Sequence, residues 1–230
     1  RNAWAQIAAG VHKRNTSTRS KRLLCAKIIH LAEKFRDERF WTPVNADFRG
    51  RIYSVPSFLN VQGSDLSRGL LQFERSERVR NEKEARWLLI HGANTWGYDK
   101  VTLDDRVKWV YDNADMIHRI AHDPTQNTEW MDADKPWQFL AVCFELSAYL
   151  KDGKVKTKIP CSMDATNNGL QILSILTRCD YGCVATNVIP TTKPADIYDV
   201  VRLRVESYMR EDAEKNHPFA QAWIDYGISR

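Results

Sequence analysis

The chain has 230 residues, 43% of them hydrophobic, enough to bury a core of its own, and no apolar run approaches the ~18 residues that a bilayer span needs. Its five cysteines (Cys25, Cys143, Cys161, Cys179 and Cys183) are an odd set with no paired CxxC spacing, which suggests neither a disulfide framework nor a zinc ribbon and reads as reduced core thiols. The net charge of +5 is unevenly spread, with 12 Lys+Arg against 4 Asp+Glu in residues 1–51 and 22 against 25 in the remainder.

The basic, polar N-terminus lacks the apolar stretch of a secretory signal, so secretion is not expected. Lys13, Arg14, Arg19, Lys21 and Arg22 follow one another without an intervening acid. Such a run suits a phosphodiester partner, whose counterions are released on binding, and equally suits the solvated start of a helix. From Ser20 to about Glu38, the residues Leu23, Leu24, Ile28, Leu31, Ala32 and Phe35 recur at helical spacing and predict an amphipathic helix, its basic residues opposite.

Pro43 and Pro56 then punctuate a segment that alternates around Arg51, Ile52, Tyr53, Ser54 and Val55, predicting short strands and turns. Within it, Arg49 and Arg51 flank Gly50. Two arginines around a glycine can grip phosphates by forked hydrogen bonds while the backbone comes close. The same residues also fit a hairpin turn closed by an ion pair from Asp47 to an arginine.

Asn81 with Glu84, and Thr102 with Asp105, have capping-box spacing and predict helices over 82–96 and 103–122. Asp134 is placed to cap a third helix, with Pro136 in its first turn, a core-like run from Trp137 to Leu150, and a stop at Lys151, Asp152 and Gly153. Ile159 to Met163 reads as a short buried strand ending at Asp164, before a helix over about 169–178. A strand from Cys183 to Ile189, a helix capped by Thr192 and running to Met209, and a last helix from about Pro218 to Tyr226 complete an α/β, mainly helical chain.

The junction at Asp164 carries the most chemistry. A carboxylate on rigid backbone at a strand's end can hold a divalent ion and leave sites open for phosphate oxygens, and Ala165, Thr166, Asn167, Asn168 and Gly169 are small or polar enough to admit a nucleotide. An aspartate there can equally be a plain helix cap. His118 and His122 lie one helical turn apart but lack the glutamate of HExxH, Asp132 and Asp134 sit at a helix start, and no GxxxxGK[ST] loop occurs, which argues against an ordinary NTPase.

Taken together and in order, these segments resemble the bacteriophage-type single-subunit RNA polymerases, a family that includes mitochondrial enzymes. DFRGRIY (Asp47 to Tyr53) is similar to the family's DxxGR motif, and MDATNNGLQILS (Met163 to Ser174) to its motif A. QGSDLSRGLL, IHGANTWGYDK and FLAVCFE lie between them as the family orders them, and the resemblance runs from about Ser20 to Arg230.

The resemblance implies part of a right-hand polymerase fold. A basic helical thumb end would occupy residues 1–39, and a palm region with DxxGR and motif A would occupy 40–230, reaching the start of the fingers. It implies that Asp164 and the carbonyl of Ala165 bind Mg2+ in a two-metal site. Lys21, Arg22, Arg49, Gly50 and Arg51 would contact template and hybrid, and Arg68, Lys100 and Arg230 the incoming NTP. Asp196 and Tyr198 fall in palm structure. The family usually has glycine where Ala165 stands and histidine where Ile172 stands.

After motif A the chain shows neither the motif B lysine and tyrosine nor the family's HD motif with the second metal-binding aspartate. The expectation is therefore a DNA-directed RNA polymerase portion, active only with a second subunit carrying motifs B and C, together with DNA template, RNA product and NTPs, and with no membrane. A split phage enzyme in the host cytoplasm is the preferred form, over a mitochondrial one and over a fragment of a longer chain. The alternative from another class is a polymerase-derived scaffold that binds nucleic acid without chemistry.

Overall fold

The computed structural model describes residues 2–163 and 167–227. It divides into two compact units, one of residues 1–99 and 104–162, the other of 100–103 and 163–230. Among the described residues, no helix is long and apolar enough to cross a membrane.

The first unit opens with α1 (Asn2–Lys34), which begins well before the predicted start at Ser20. Ala5, Gln6, Ala8 and Ala9 are strong helix formers and no proline intervenes, so propensity carries the helix where no apolar stripe does. Its apolar face is narrower than the spacing predicts. Ile28 is buried with Leu59 and Leu66, and Leu31 and Ala32 pack against them, but Leu23 and Leu24 are exposed. The predicted hairpin follows as β1 (Val44–Ala46) and β2 (Ile52–Ser54), antiparallel with Asn45 opposite Tyr53.

Two short elements come next that periodicity is too coarse to find. α2 (Asp65–Leu70) is capped by Ser64, whose hydroxyl accepts the Ser67 N–H at 3.4 Å. β3 (Glu77–Val79) pairs antiparallel with β4 (Val155–Thr157).

α3 (Glu82–Trp96) matches its predicted bounds, with Asn81 Oδ1 accepting the Glu84 N–H at 3.0 Å. The Glu84 carboxylate reaches back one residue beyond the expected box, accepting the Arg80 N–H at 2.8 Å. Gly97 ends the helix at φ 111°, a left-handed conformation that favours glycine. The single helix predicted over 103–122 is two, α4 (Leu103–Asp112) and α5 (Ala114–His122). They part at Asn113, whose side-chain amide donates to the Trp109 carbonyl at 2.7 Å.

α6 (Pro136–Asp152) is the hub of this unit and packs against α2, α3 and α5. Phe139, Val142, Cys143 and Leu146 are fully buried on it, facing a core that includes Leu89, Ile90, Val110, Ile117 and Ile120. A side chain on Gly92 of α3 would meet Leu146 at 2.7 Å, and one on Gly69 of α2 would meet the Trp137 backbone at 2.8 Å, so both glycines allow close helix approach. Asp134 does not cap α6 as predicted. Lys135 is the boundary residue, and Asp134 lies instead against Gly97.

The second unit contains α7 (Asn168–Leu176), α8 (Asp180–Ala185), α9 (Ile197–Glu214) and α10 (Ala220–Tyr226), with α7 on α8 and α9 on α10. The strand predicted from Cys183 to Ile189 is replaced by α8 and a turn. A Cβ on Gly182 would lie 2.4 Å from Ser174 Oγ, so the glycine lets α8 lie close against α7. α9 is capped by Asp196 Oδ1, which accepts the Tyr198 N–H at 3.1 Å, rather than by Thr192. Its core is thin: α9 buries nothing, and Leu170, Ile172, Leu173, Ile175 and Leu176 of α7 are all exposed.

Candidate active site

The DFRGRIY hairpin is built around one carboxylate. Asp47 Oδ1 accepts the N–H groups of Arg49 and Arg51, each at 2.8 Å, and the Asp47 carbonyl accepts the Gly50 N–H at 3.0 Å. The turn places Gly50 at φ 78°, where a side chain would be strained although nothing crowds the site. Gln62 braces the other side, its Oε1 accepting the Ser54 N–H at 2.7 Å and its Nε2 donating to the Ile52 carbonyl at 2.8 Å.

The hairpin turn expected from these residues is present, but Asp47 closes it through backbone amides and not through an ion pair with an arginine. Asp47 Oδ1 is committed to those amides. Arg49 and Arg51 are exposed and make no ion pair among the described residues, and the Arg49 guanidinium lies over the Phe48 ring at 5.2 Å. Two unneutralised guanidiniums on a fixed turn are suited to phosphate oxygens. On α1, Lys13, Arg14, Arg19, Lys21 and Arg22 are likewise exposed, with no acid on the helix before Glu33.

Arg68 on α2 has a different environment. Its Nη2 donates to Ser162 Oγ at 2.6 Å, across 94 residues of sequence. The segment that Ser162 ends is also held at its other end, where the Lys158 carbonyl accepts the Phe73 N–H at 2.9 Å. Ile159 to Met163 forms no strand ladder, contrary to the predicted strand. Pro160 removes one ladder donor, and no strand runs alongside among the described residues.

His91 of α3 is buried, and burial first, then the charges of Lys135 and Arg68, pushes its pKa down to about 4. It therefore stands neutral and adds no charge near Arg68. His118 is tied to α6 through Nδ1 and Ser147 Oγ at 2.8 Å, a structural use. Lys100 is exposed on the connection between α3 and α4.

Asp164, Ala165 and Arg230 lie outside the described residues. Two residues after Ala165, Asn167 has φ 61° and precedes α7, its side-chain amide nitrogen buried and without a hydrogen-bond partner among the described residues. Among the described residues no three of His, Cys, Asp and Glu gather as a metal cluster. An aspartate carboxylate and a backbone carbonyl are hard oxygen donors that fit Mg2+, which takes one or two carboxylates and fills its remaining positions with water and phosphate.

Sequence reasoning missed Asp65, Gln62 and Ser162. Asp65 follows a Ser64 cap, a readable local signal, but its partners lie on α6; Gln62 and Ser162 act through contacts that no local spacing announces.

Residues 78–230 match a family model described as DNA-dependent RNA polymerase. The chain is 32% identical to the DNA-directed RNA polymerase of Enterobacteria phage T3 over 99% of its own length and 28% of that protein's. It is 34% identical to the mitochondrial DNA-directed RNA polymerase of Neurospora crassa over 96% of its length and 16% of that protein's. It is 35% identical to T7 RNA polymerase of Escherichia phage T7 over 92% of its length and 24% of that protein's. The chain thus spans 16–28% of the length of these relatives.

Proposed function

Since the chain belongs to the bacteriophage-type DNA-dependent RNA polymerase family, we propose that it forms one side of a template-directed nucleotidyl-transfer site, completed by the portion of the family that carries motifs B and C. In this role Arg49 and Arg51 hold template and hybrid phosphates, with Lys21 and Arg22 extending the grip along α1. Gly50 keeps the turn low enough for the backbone to approach. Lys100, Arg230 and a free edge of Arg68 offset the charge of the incoming triphosphate.

Asp164 and the Ala165 carbonyl are the groups that would hold Mg2+, with a second aspartate contributed from outside this chain. A bound magnesium pair supplies charge neutralisation at the phosphates and acidifies the attacking 3′-hydroxyl. The exposed aliphatic residues of α7, which carries the second half of motif A, support a complement that packs there, because five large aliphatic side chains on one short helix are costly to leave in water.

The single observation that carries this proposal is the use of Asp47 for backbone amides, which leaves Arg49 and Arg51 without an ion-pair partner among the described residues, on a rigid turn. Co-expression with a polypeptide bearing motifs B and C is expected to give a complex that extends a primer with NTPs. Asp164→Ala should abolish extension and leave template binding intact. Full activity in that variant overturns the metal assignment, and a complex that binds template yet never extends favours the non-catalytic scaffold.

A further inference from the structure

Arg68 makes no ion pair among the described residues, and its guanidinium donates instead to the hydroxyl of Ser162, two residues before Asp164. We infer that Arg68 is a positioning residue: through the Ser162 hydroxyl it fixes the segment that delivers Asp164, beyond any contact it makes with nucleotide. This rests on Asp164 being the metal ligand proposed above.

Three observations carry it. The segment from Ile159 to Ser162 has no strand partner among the described residues, so side-chain tethers must hold what a ladder would otherwise hold. The Arg68 to Ser162 hydrogen bond is short, at 2.6 Å, and its donor is charged, which makes it among the stronger kinds. And Arg68 sits on a helix that cannot drift. α2 is pinned to α6 by Asp65, which accepts the Trp137 N–H at 2.7 Å, and by the close approach at Gly69. The chain of support runs from α6 through α2 to Arg68 and Ser162, which lies two residues before Asp164 in the sequence.

The variant that isolates the tether is Ser162→Ala, since it leaves the arginine's charge in place. Hydrogen exchange on this chain should show the amides of residues 161–163 exchanging faster in Ser162→Ala and in Arg68→Gln alike. Ser162→Thr, which keeps the hydroxyl, should restore slow exchange. In the polymerase assembled with its complement, Ser162→Ala should raise the Mg2+ concentration for half-maximal extension about three- to tenfold, the scale of one net hydrogen bond at an exposed site, with the NTP KM unchanged.

Unchanged exchange in Ser162→Ala overturns the tether. So does an increase in NTP KM alone, or an equal defect in Ser162→Thr. Asp164→Asn run in parallel separates the two failures: if that variant is inactive while Ser162→Ala behaves as the parent, the metal assignment stands and only the tether falls.

Discussion

Asp65 caps a helix that begins some 70 residues further along the chain. Its Oδ2 accepts the Trp137 N–H at 2.7 Å, and its Oδ1 accepts both the backbone N–H and the side-chain amide of Gln138, at 3.3 and 2.9 Å. α6 has no side-chain cap from its own boundary residue Lys135, so the orphan donors of its first turn are satisfied by α2. The carboxylate also meets the positive end of the helix dipole.

Asp65→Ala should therefore destabilise the chain by about 1–2 kcal/mol, the cost of removing a helix cap. Asp65→Asn keeps an oxygen acceptor and should recover part of that loss. Urea unfolding measures both, and a midpoint for Asp65→Ala equal to the parent's would contradict the cap.

The exposed cations should appear in the salt dependence of nucleic-acid binding. Replacing Arg51, Arg49, Lys21 or Arg22 by alanine should lower the slope of log K against log salt by about 0.9 for each duplex phosphate that is no longer neutralised. Arg119 makes a useful control, because Glu129 already accepts from it at 3.1 Å; Arg119→Ala should leave the slope alone. Titration of duplex binding across salt concentrations checks this.

His91 should make stability fall in acid. Its folded pKa, about 4, lies below its ordinary 6.5, so between those values the unfolded chain binds a proton that the folded chain refuses. Stability from this group is fully present above about pH 6.5 and is lost at up to about 1.4 kcal/mol per pH unit as pH falls towards 4. Below that the folded form is protonated too and the loss stops. His91→Gln should flatten the unfolding midpoint across this window relative to the parent.

What the sequence determined by itself is whatever a few neighbouring residues can settle. Asn81 and Gly97 bound α3 at the predicted places because a cap needs only a side-chain oxygen three residues from an amide, and a left-handed stop needs only a glycine. The DFRGRIY turn was legible for the same reason, since Asp47 reaches amides two and four residues ahead. The order of its motifs also carried the family, which the similarity to the T3, Neurospora and T7 polymerases bears out.

Tertiary structure decided what depends on a distant partner. Ile159 to Met163 has a strand's composition, but a strand is stabilised by a neighbour's ladder, and among the described residues none is beside it. Cys183 to Ile189 has the composition of another strand, yet its first residues belong to α8, which packs closely on Ser174 of α7 at Gly182. The cap of α6 moved from adjacent Asp134 to remote Asp65, because a carboxylate held on a packed helix is already oriented towards the amides it must reach. Arg68 and Ser162, 94 residues apart, become partners only after α2 has docked on α6.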